Sequence, residues 1–187
     1  IYQLLIINFN MLVAILNHNL PDLTDNLVNW IKKDPSVNEL MVIDNGSTME
    51  SPAKSTTHSL NENIFFGGGV NVIFDAFLQT DHEYLYILNN DLLVHNNFIT
   101  KSLRAAKQND IAMYSPAVIN SSVEQCHWKQ MLNQGTDKVR EVKWIDWQAP
   151  LLRRDLVEII QNFPMELIYG WGLDFYSGIV VGNNNLK

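Results

Sequence analysis

The chain has 187 residues, 47% of them hydrophobic and 18% charged, with a formal net charge of -7 and a pI near 5.1. That is enough apolar material for one sizeable core, and the absence of a concentrated basic stripe argues against a nucleic-acid partner. Cys126 is the only cysteine, which excludes an internal disulfide framework and fits a reducing, cytoplasmic setting.

The opening from Ile1 to Leu16 is apolar but lacks a basic leading segment, is too short to span a bilayer, and carries Gln3, Asn8 and Asn10. It reads as an N-terminal extension or extra strand over residues 1–10, followed by one domain over 11–187. The first strand is expected over Leu12–Leu16, and a helix over Leu23–Lys33 with Leu27, Val28 and Ile31 on its inner face. Asp22 or Thr24 is the expected cap, and Pro35 follows the end. Glu39–Ile43 and Tyr84–Leu88 are further buried strands, each a short apolar run without alternation, as in a parallel sheet. Helices are expected over Asn71–Gln79 and Asn97–Gln108. Further strands are expected over Ile111–Val118 and Val142–Trp147, with a helix over Arg154–Asn162 before Phe163-Pro164. Strands alternating with helices predict an α/β fold with a doubly wound, mostly parallel sheet and right-handed crossovers. The sequons at Asn45 and Asn120 are short enough to arise by chance.

Each central strand runs into polar residues at its carboxyl end: Asn17-His18-Asn19, Asp44-Asn45-Gly46-Ser47, and Asn89-Asn90-Asp91. Open α/β sheets bind ligands outside these ends, although the same residue types also dominate ordinary turns. Gly67-Gly68-Gly69 lies before the expected helix from Asn71. It reads as a flexible loop or as a close backbone approach to an anion at a helix start. It matches neither the dinucleotide GxGxxG pattern nor a phosphate loop. Trp144, Trp147 and Trp171 could form a stacking wall for a ligand, but at strand spacing Trp144 and Trp147 fall on opposite faces, so one belongs to the core. Arg153-Arg154 could meet an anionic ligand or form a solvated face. Cys126 and His127 receive no role.

Val13-Ala14-Ile15-Leu16-Asn17-His18-Asn19 and Val42-Ile43-Asp44-Asn45-Gly46-Ser47-Thr48 resemble the opening of family 2 glycosyltransferases of the GT-A fold. Glu62 to Asn71 resembles their EN-x-GFGGGxN segment. Leu88-Asn89-Asn90-Asp91 resembles the LNND form of the DxD motif found in rhamnosyltransferase-like members, and Gly170-Trp171-Gly172-Leu173-Asp174 resembles the late GWGxD motif. The motifs stand in family order from Val13 to Asp174.

The resemblance implies an inverting transfer from a UDP- or dTDP-linked sugar to a glycan or lipid-linked acceptor, in the cytoplasm or peripherally at a membrane surface. Asn17, His18, Asn19, Asp44, Gly69, Asn71, Asn89, Asn90 and Asp91 are the implied donor-binding residues. His18 would lie against the nucleobase, Asp44 would accept a base N–H, and Asp91 would hold Mg2+ or Mn2+ at the diphosphate. Asp174 would be the general base, with Trp171 as its apolar wall. Two departures stand out: Asn89 replaces the first Asp of DxD, and none of the five histidines follows the base motif. They imply a domain cut short at its C-terminus or, alternatively, an inactive sugar-nucleotide-binding or scaffold domain. A nucleotidyltransferase would carry a basic signature near the first strand that is absent here.

Overall fold

The computed structural model describes residues 10–119, 128–136 and 138–187. The extension before Asn10, the Asn120 sequon, Cys126 and His127 lie outside the described residues.

The chain runs β1 (Met11–Asn17), α1 (Pro21–Ile31), β2 (Glu39–Asp44), β3 (His58–Ser59), α2 (Phe65–Leu78), β4 (Tyr84–Asn89), α3 (Phe98–Gln108), β5 (Met113–Tyr114), β6 (Leu151–Arg153), α4 (Arg154–Ile160) and α5 (Leu173–Asn183). The six strands form one sheet in the order β3-β2-β1-β4-β6-β5. β1 lies between β2 and β4, parallel to both, with Asn17 opposite Asp44 and Leu16 opposite Asn89. β6 is antiparallel to both β4 and β5. The fold is thus α/β, with a mostly parallel sheet flanked by helices.

Both faces of the sheet are covered, which is why its strands are apolar without interruption. Met11, Val13 and Ile15 face Leu27, Val28 and Ile31 of α1 and Ile99, Leu103 and Ala106 of α3. Leu12 and Ala14 point the other way, towards Val70, Ile73, Phe74 and Phe77 of α2 and towards α4 and Leu173 of α5. From β1 the chain winds out through β2 and β3, then returns to the opposite side of β1 as β4. The topological switch point therefore lies at the carboxyl ends of β1 and β4.

Several expected elements are corrected. α1 starts at Pro21, a position where the missing N–H costs nothing, and neither Asp22 nor Thr24 caps it. α2 begins at Phe65 rather than Asn71, so the glycine run is helix, not loop. Helical glycine is unfavourable by about 1 kcal/mol relative to alanine, and close packing offsets this here. A Cβ on Gly67 would stand 2.5 Å from the Leu167 carbonyl oxygen, and one on Gly69 would stand 2.6 Å from a Leu16 methyl.

Ile111–Val118 contracts to Met113–Tyr114, since Pro116 has no N–H for a ladder. Val142–Trp147 forms no strand. It lies on α5 instead, where Lys143 and Trp144 cover Gly178 and the Trp147 indole N–H donates to Ser177 Oγ at 3.1 Å. The pairing strand is Leu151–Arg153, which the sequence reading passed over because three residues carry no periodic signal. α4 ends at Ile160 rather than Asn162, followed by Gln161 at φ +55°.

Candidate functional site

Asn17, the last residue of β1, is fully buried and ties three strand ends together. Its Oδ1 accepts hydrogen bonds from the Leu20 N–H at 3.2 Å, Thr24 Oγ1 at 2.9 Å and Asn90 Nδ2 at 3.2 Å. Its Nδ2 donates to Asp44 Oδ1 at 2.8 Å. Asp44 also accepts from the Ser47 N–H and Oγ at 3.0 and 2.6 Å. Only 2% exposed, the Asp44 carboxylate shapes the turn after β2. Asn90, 9% exposed, likewise spends its Nδ2 on Asn17 and Thr24.

A second amide network lies beside the first. Asn19, at φ +56°, accepts the Thr48 and Met49 N–H groups on Oδ1 at 2.9 and 3.0 Å. Its Nδ2 therefore faces His18 Nε2, 3.0 Å away. Asn63 accepts the Phe65 N–H on its Oδ1 and points its own Nδ2 at the same His18 nitrogen, 3.2 Å away. Two donors aimed at Nε2 make that nitrogen the acceptor. The proton is consequently on Nδ1, which donates to the Asn45 carbonyl at 2.9 Å. Asn45, 2% exposed, holds Asn63, Phe65 and Ile64 through its own amide, so its sequon is built into the fold. The His18 ring is thus fixed by its edge.

Beyond β4 the chain opens onto a cleft of about 860 Å³, lined by Asp91, Lys101, Tyr114, Asp146 and Gln148 among others. Asp91 is exposed, and the Asn89 N–H donates to the Gln148 carbonyl at 2.9 Å, tying the end of β4 to the segment that carries Asp146. Burial pushes the Asp146 carboxyl above the ordinary carboxylate range, and the nearby charge of Asp174 adds to this. Hydrogen bonds from the Trp147 N–H and Gln148 act the other way without cancelling the rise. Asp174 sits in the first turn of α5, following Gly170 and Gly172 at φ +95° and +87°. Its Oδ1 accepts the Phe175 N–H at 2.9 Å.

Trp171 is 85% exposed and so supplies no enclosing wall for Asp174. The aromatic neighbour of that helix turn is Trp144, whose ring centroid lies 4.9 Å from Phe175 and 4.5 Å from Trp128. Trp147 is the core member, 5% exposed.

The strand-end residues Asn17, His18, Asn19, Asp44, Asn89, Asn90 and Asp91 are thus gathered at the switch point, while Asp174 lies on α5, near enough to Asp146 for its charge to be felt there. Gly69 and Asn71 are not part of that group. Gly69 packs under Leu16, while Asn71 clasps the backbone of Phe163, donating to its carbonyl at 3.1 Å and accepting its N–H at 2.8 Å. The two arginines are also structural. Arg153 pairs with Asp155 and Asp110, and Arg154 donates to the carbonyls of Thr80 and His82 at 2.7 Å.

Asn63 and Asp146 were missed by sequence reasoning. Asn63 lies within the glycosyltransferase-like segment Glu62–Asn71, whereas nothing local distinguishes Asp146. Among the described residues there is no cluster of three or more His, Cys, Asp or Glu placed to hold a metal. Asp91 offers one hard oxygen ligand, which suits an ion that takes its remaining ligands from substrate phosphates and water. No helix among the described residues is long and apolar enough to cross a membrane.

No family model and no curated protein matches the chain. Solved structures do. The mannosyltransferase PcManGT from Pyrobaculum calidifontis, in complex with GDP-Man and Mn2+, has a TM-score of 0.67 at 14% identity over 93% of this chain and 51% of its own. S. aureus TarS 1-349 in complex with UDP has a TM-score of 0.61 at 15% identity, over 84% of this chain and 51% of its own. A longer TarS structure has a TM-score of 0.62 at 14% identity, over 91% of this chain and 33% of its own. The chain therefore spans about half the length of the first two proteins and a third of the last. At this identity the likeness establishes the fold, that of glycosyltransferases solved with GDP-Man and with UDP.

Proposed function

We propose that the chain forms the nucleotide-sugar-binding part of an inverting glycosyltransferase. The observation that carries this reading is the gathering of three polar strand ends at the switch point of a sheet shared with glycosyltransferases. In it, a UDP- or dTDP-linked sugar lays its base against the His18 face, and its diphosphate reaches Asn89 and Asp91. Asn17, Asn19 and Asp44 act one step back, holding the turns that present those groups. Asn90 anchors the loop that carries Asp91.

Asp174 takes the proton of an acceptor hydroxyl as its oxygen bonds to the anomeric carbon. The bond from that carbon to the β-phosphate oxygen breaks on the opposite face, and the electron pair leaves with the nucleoside diphosphate. One displacement inverts the anomeric centre. Mg2+ or Mn2+ held by Asp91 and the diphosphate would neutralise the charge gathering on the leaving group.

Calorimetry with UDP, dTDP and GDP in the presence of Mn2+ tests the donor half of the reading. Binding of a nucleoside diphosphate that weakens in Asp91→Ala is expected, and failure of all three to bind sinks the proposal. For the chemistry, Asp174→Asn should lower transfer by about 10²–10⁴-fold, the usual worth of a general base, while nucleotide binding persists. Asn89, in place of a carboxylate, motivates a second reading as an inactive binding domain. Equal turnover by wild type and Asp174→Asn would refute the base assignment, and nucleotide binding with no turnover by wild type would favour that second reading.

A further inference from the structure

After β4 the chain crosses to α3 as a strap over residues 90–97 that runs beside α1. Its head is tied by Asn90, whose Nδ2 donates to Thr24 Oγ1 at 3.1 Å. Its foot is tied by Asp34, which accepts the Thr100 N–H at 3.0 Å. Between these ties lies a cavity of about 350 Å³, walled by Trp30, Ile31 and Lys33 at the end of α1 and by the strap. Val94, His95, Asn96 and Phe98 line both this cavity and the cleft that carries Asp91, so the strap divides the two.

The surface around the cavity is apolar. Leu23 and Trp30, about two turns apart on one stripe of α1, are 44% and 45% exposed. Leu93, on the strap, is wholly in solvent and is the most exposed large apolar side chain among the described residues. A hole and a knob thus stand on one face. A cavity of about 150 Å³ already accepts benzene, so this one has room for a leucine side chain. The α1 stripe also ends in opposite charges, with Asp22 exposed in the first turn and Lys33 exposed just beyond the last. Lys33 Nζ lies 5.1 Å from the centroid of the Trp30 ring, at the rim of the cavity.

We infer that this face joins two copies of the chain about a two-fold axis, α1 antiparallel to α1, with Leu93 of each copy seated in the other's cavity. A closed two-fold contact needs a self-complementary patch. Reversing α1 sets Leu23 of one copy over Trp30 of the other and Asp22 of one beside Lys33 of the other, each pairing occurring twice. The two helix dipoles then oppose one another. A different partner must supply both the knob and the reversed order of charges, whereas the chain already carries both. The net charge of -7 resists association only weakly, because salt screens it beyond about 8 Å. Since the strap forms a wall of the cleft, the contact also steadies that wall.

Sedimentation equilibrium of the whole chain over the micromolar range, with thermal melts at the same concentrations, tests the inference. A dimer is expected, with a melting temperature that rises with protein concentration, because association stabilises by mass action. Leu93→Asp should weaken the dimer about a hundredfold or more, since each copy loses its knob and sets a carboxylate against an apolar hole. In the free chain this side chain is solvated, so the variant should melt like wild type at high dilution, which reports intact folding. Asp22→Lys and Lys33→Asp should each weaken the dimer severalfold, and the two together should restore it, a recovery that antiparallel pairing predicts. A chain that stays monomeric throughout the range overturns the inference. So does a dimer indifferent to Leu93→Asp, a double exchange that fails to recover, or a dimer abolished by Ile179→Asp on the exposed side of α5. No readout involves nucleotide, so the donor reading stands or falls separately.

Discussion

Replacing Asn17 is the most direct probe of how the switch point is held. In Asn17→Ala, Thr24 Oγ1 still donates to the Leu20 carbonyl, Asn90 Nδ2 still reaches Thr24, and Asp44 keeps both Ser47 donors. Two contacts have no substitute. One is the bond to the buried Asp44 carboxylate, worth about 1.5–3 kcal/mol as a bond to a charged group, and the other is the Leu20 N–H, worth about 1 kcal/mol. A loss of about 3 kcal/mol is expected, a large share of a stability on the order of 5–15 kcal/mol.

Asn17→Asp separates these contributions. It preserves the acceptor oxygen for Leu20, Thr24 and Asn90 but sets a second carboxylate 2.8 Å from Asp44 Oδ1, inside a site only 2% exposed at Asp44. Uncompensated buried charge costs about 3–5 kcal/mol, so Asn17→Asp should be the less stable of the two at pH 7. Urea denaturation of the three proteins, compared at equal m-values, reads the difference. If Asn17→Asp matched wild type, the claim that the amide donor is what holds Asp44 would fail.

The helical glycines give a graded prediction. Gly67→Ala meets backbone, the Leu167 carbonyl oxygen at 2.5 Å, whereas Gly69→Ala meets the Leu16 methyls at 2.6 and 2.7 Å. Gly67→Ala should be the more destabilising, by about 1–3 kcal/mol, and Leu16→Val should partly rescue only Gly69→Ala in thermal melts. Burial alone would raise the Asp34 carboxyl, but hydrogen bonds from Ser36 and Thr100 outweigh it and hold the group below its ordinary value. A depressed carboxyl contributes stability above the unfolded value near 4, and that stability is lost as pH falls through the folded value. Asp34→Asn should therefore destabilise at pH 7 by about 2–3 kcal/mol, and its acid unfolding limb should be shallower. Asp146 has the opposite sign. Its carboxyl is raised, chiefly by burial, so the penalty is absent below the unfolded value near 4, grows as pH rises towards the folded value, and is complete above it. Asp146→Asn should melt higher than wild type at pH 7, with the gap closing towards pH 3. A lower melting point at pH 7 would refute the desolvation account.

The elements that the amino-acid sequence determined by itself are those whose signal is local. The apolar runs of β1, β2 and β4, long enough to be buried on both faces, ended within a residue of their expected carboxyl ends. The polar residues just beyond them followed, because a strand leaving the sheet must satisfy its backbone in a turn. Leu27, Val28 and Ile31 marked the inner face of α1 in the same way. Tertiary structure decided what depends on a partner distant in the chain. The Gly67-Gly68-Gly69 run has poor helix propensity, and only contact with Leu167 and Leu16 makes helix its best state. Asp44 is marked in sequence only as a polar strand end, whereas its hydrogen bond from Asn17, 27 positions earlier, exists only once β1 and β2 pair. Trp171 stands beside Asp174 in sequence and projects into solvent, while Trp144 reaches the same helix turn from thirty positions away. Asp146 carried no signal until α5 folded over its segment and brought Asp174 within electrostatic range. Spacing along a chain reports which face a side chain takes, but not which other face it will meet.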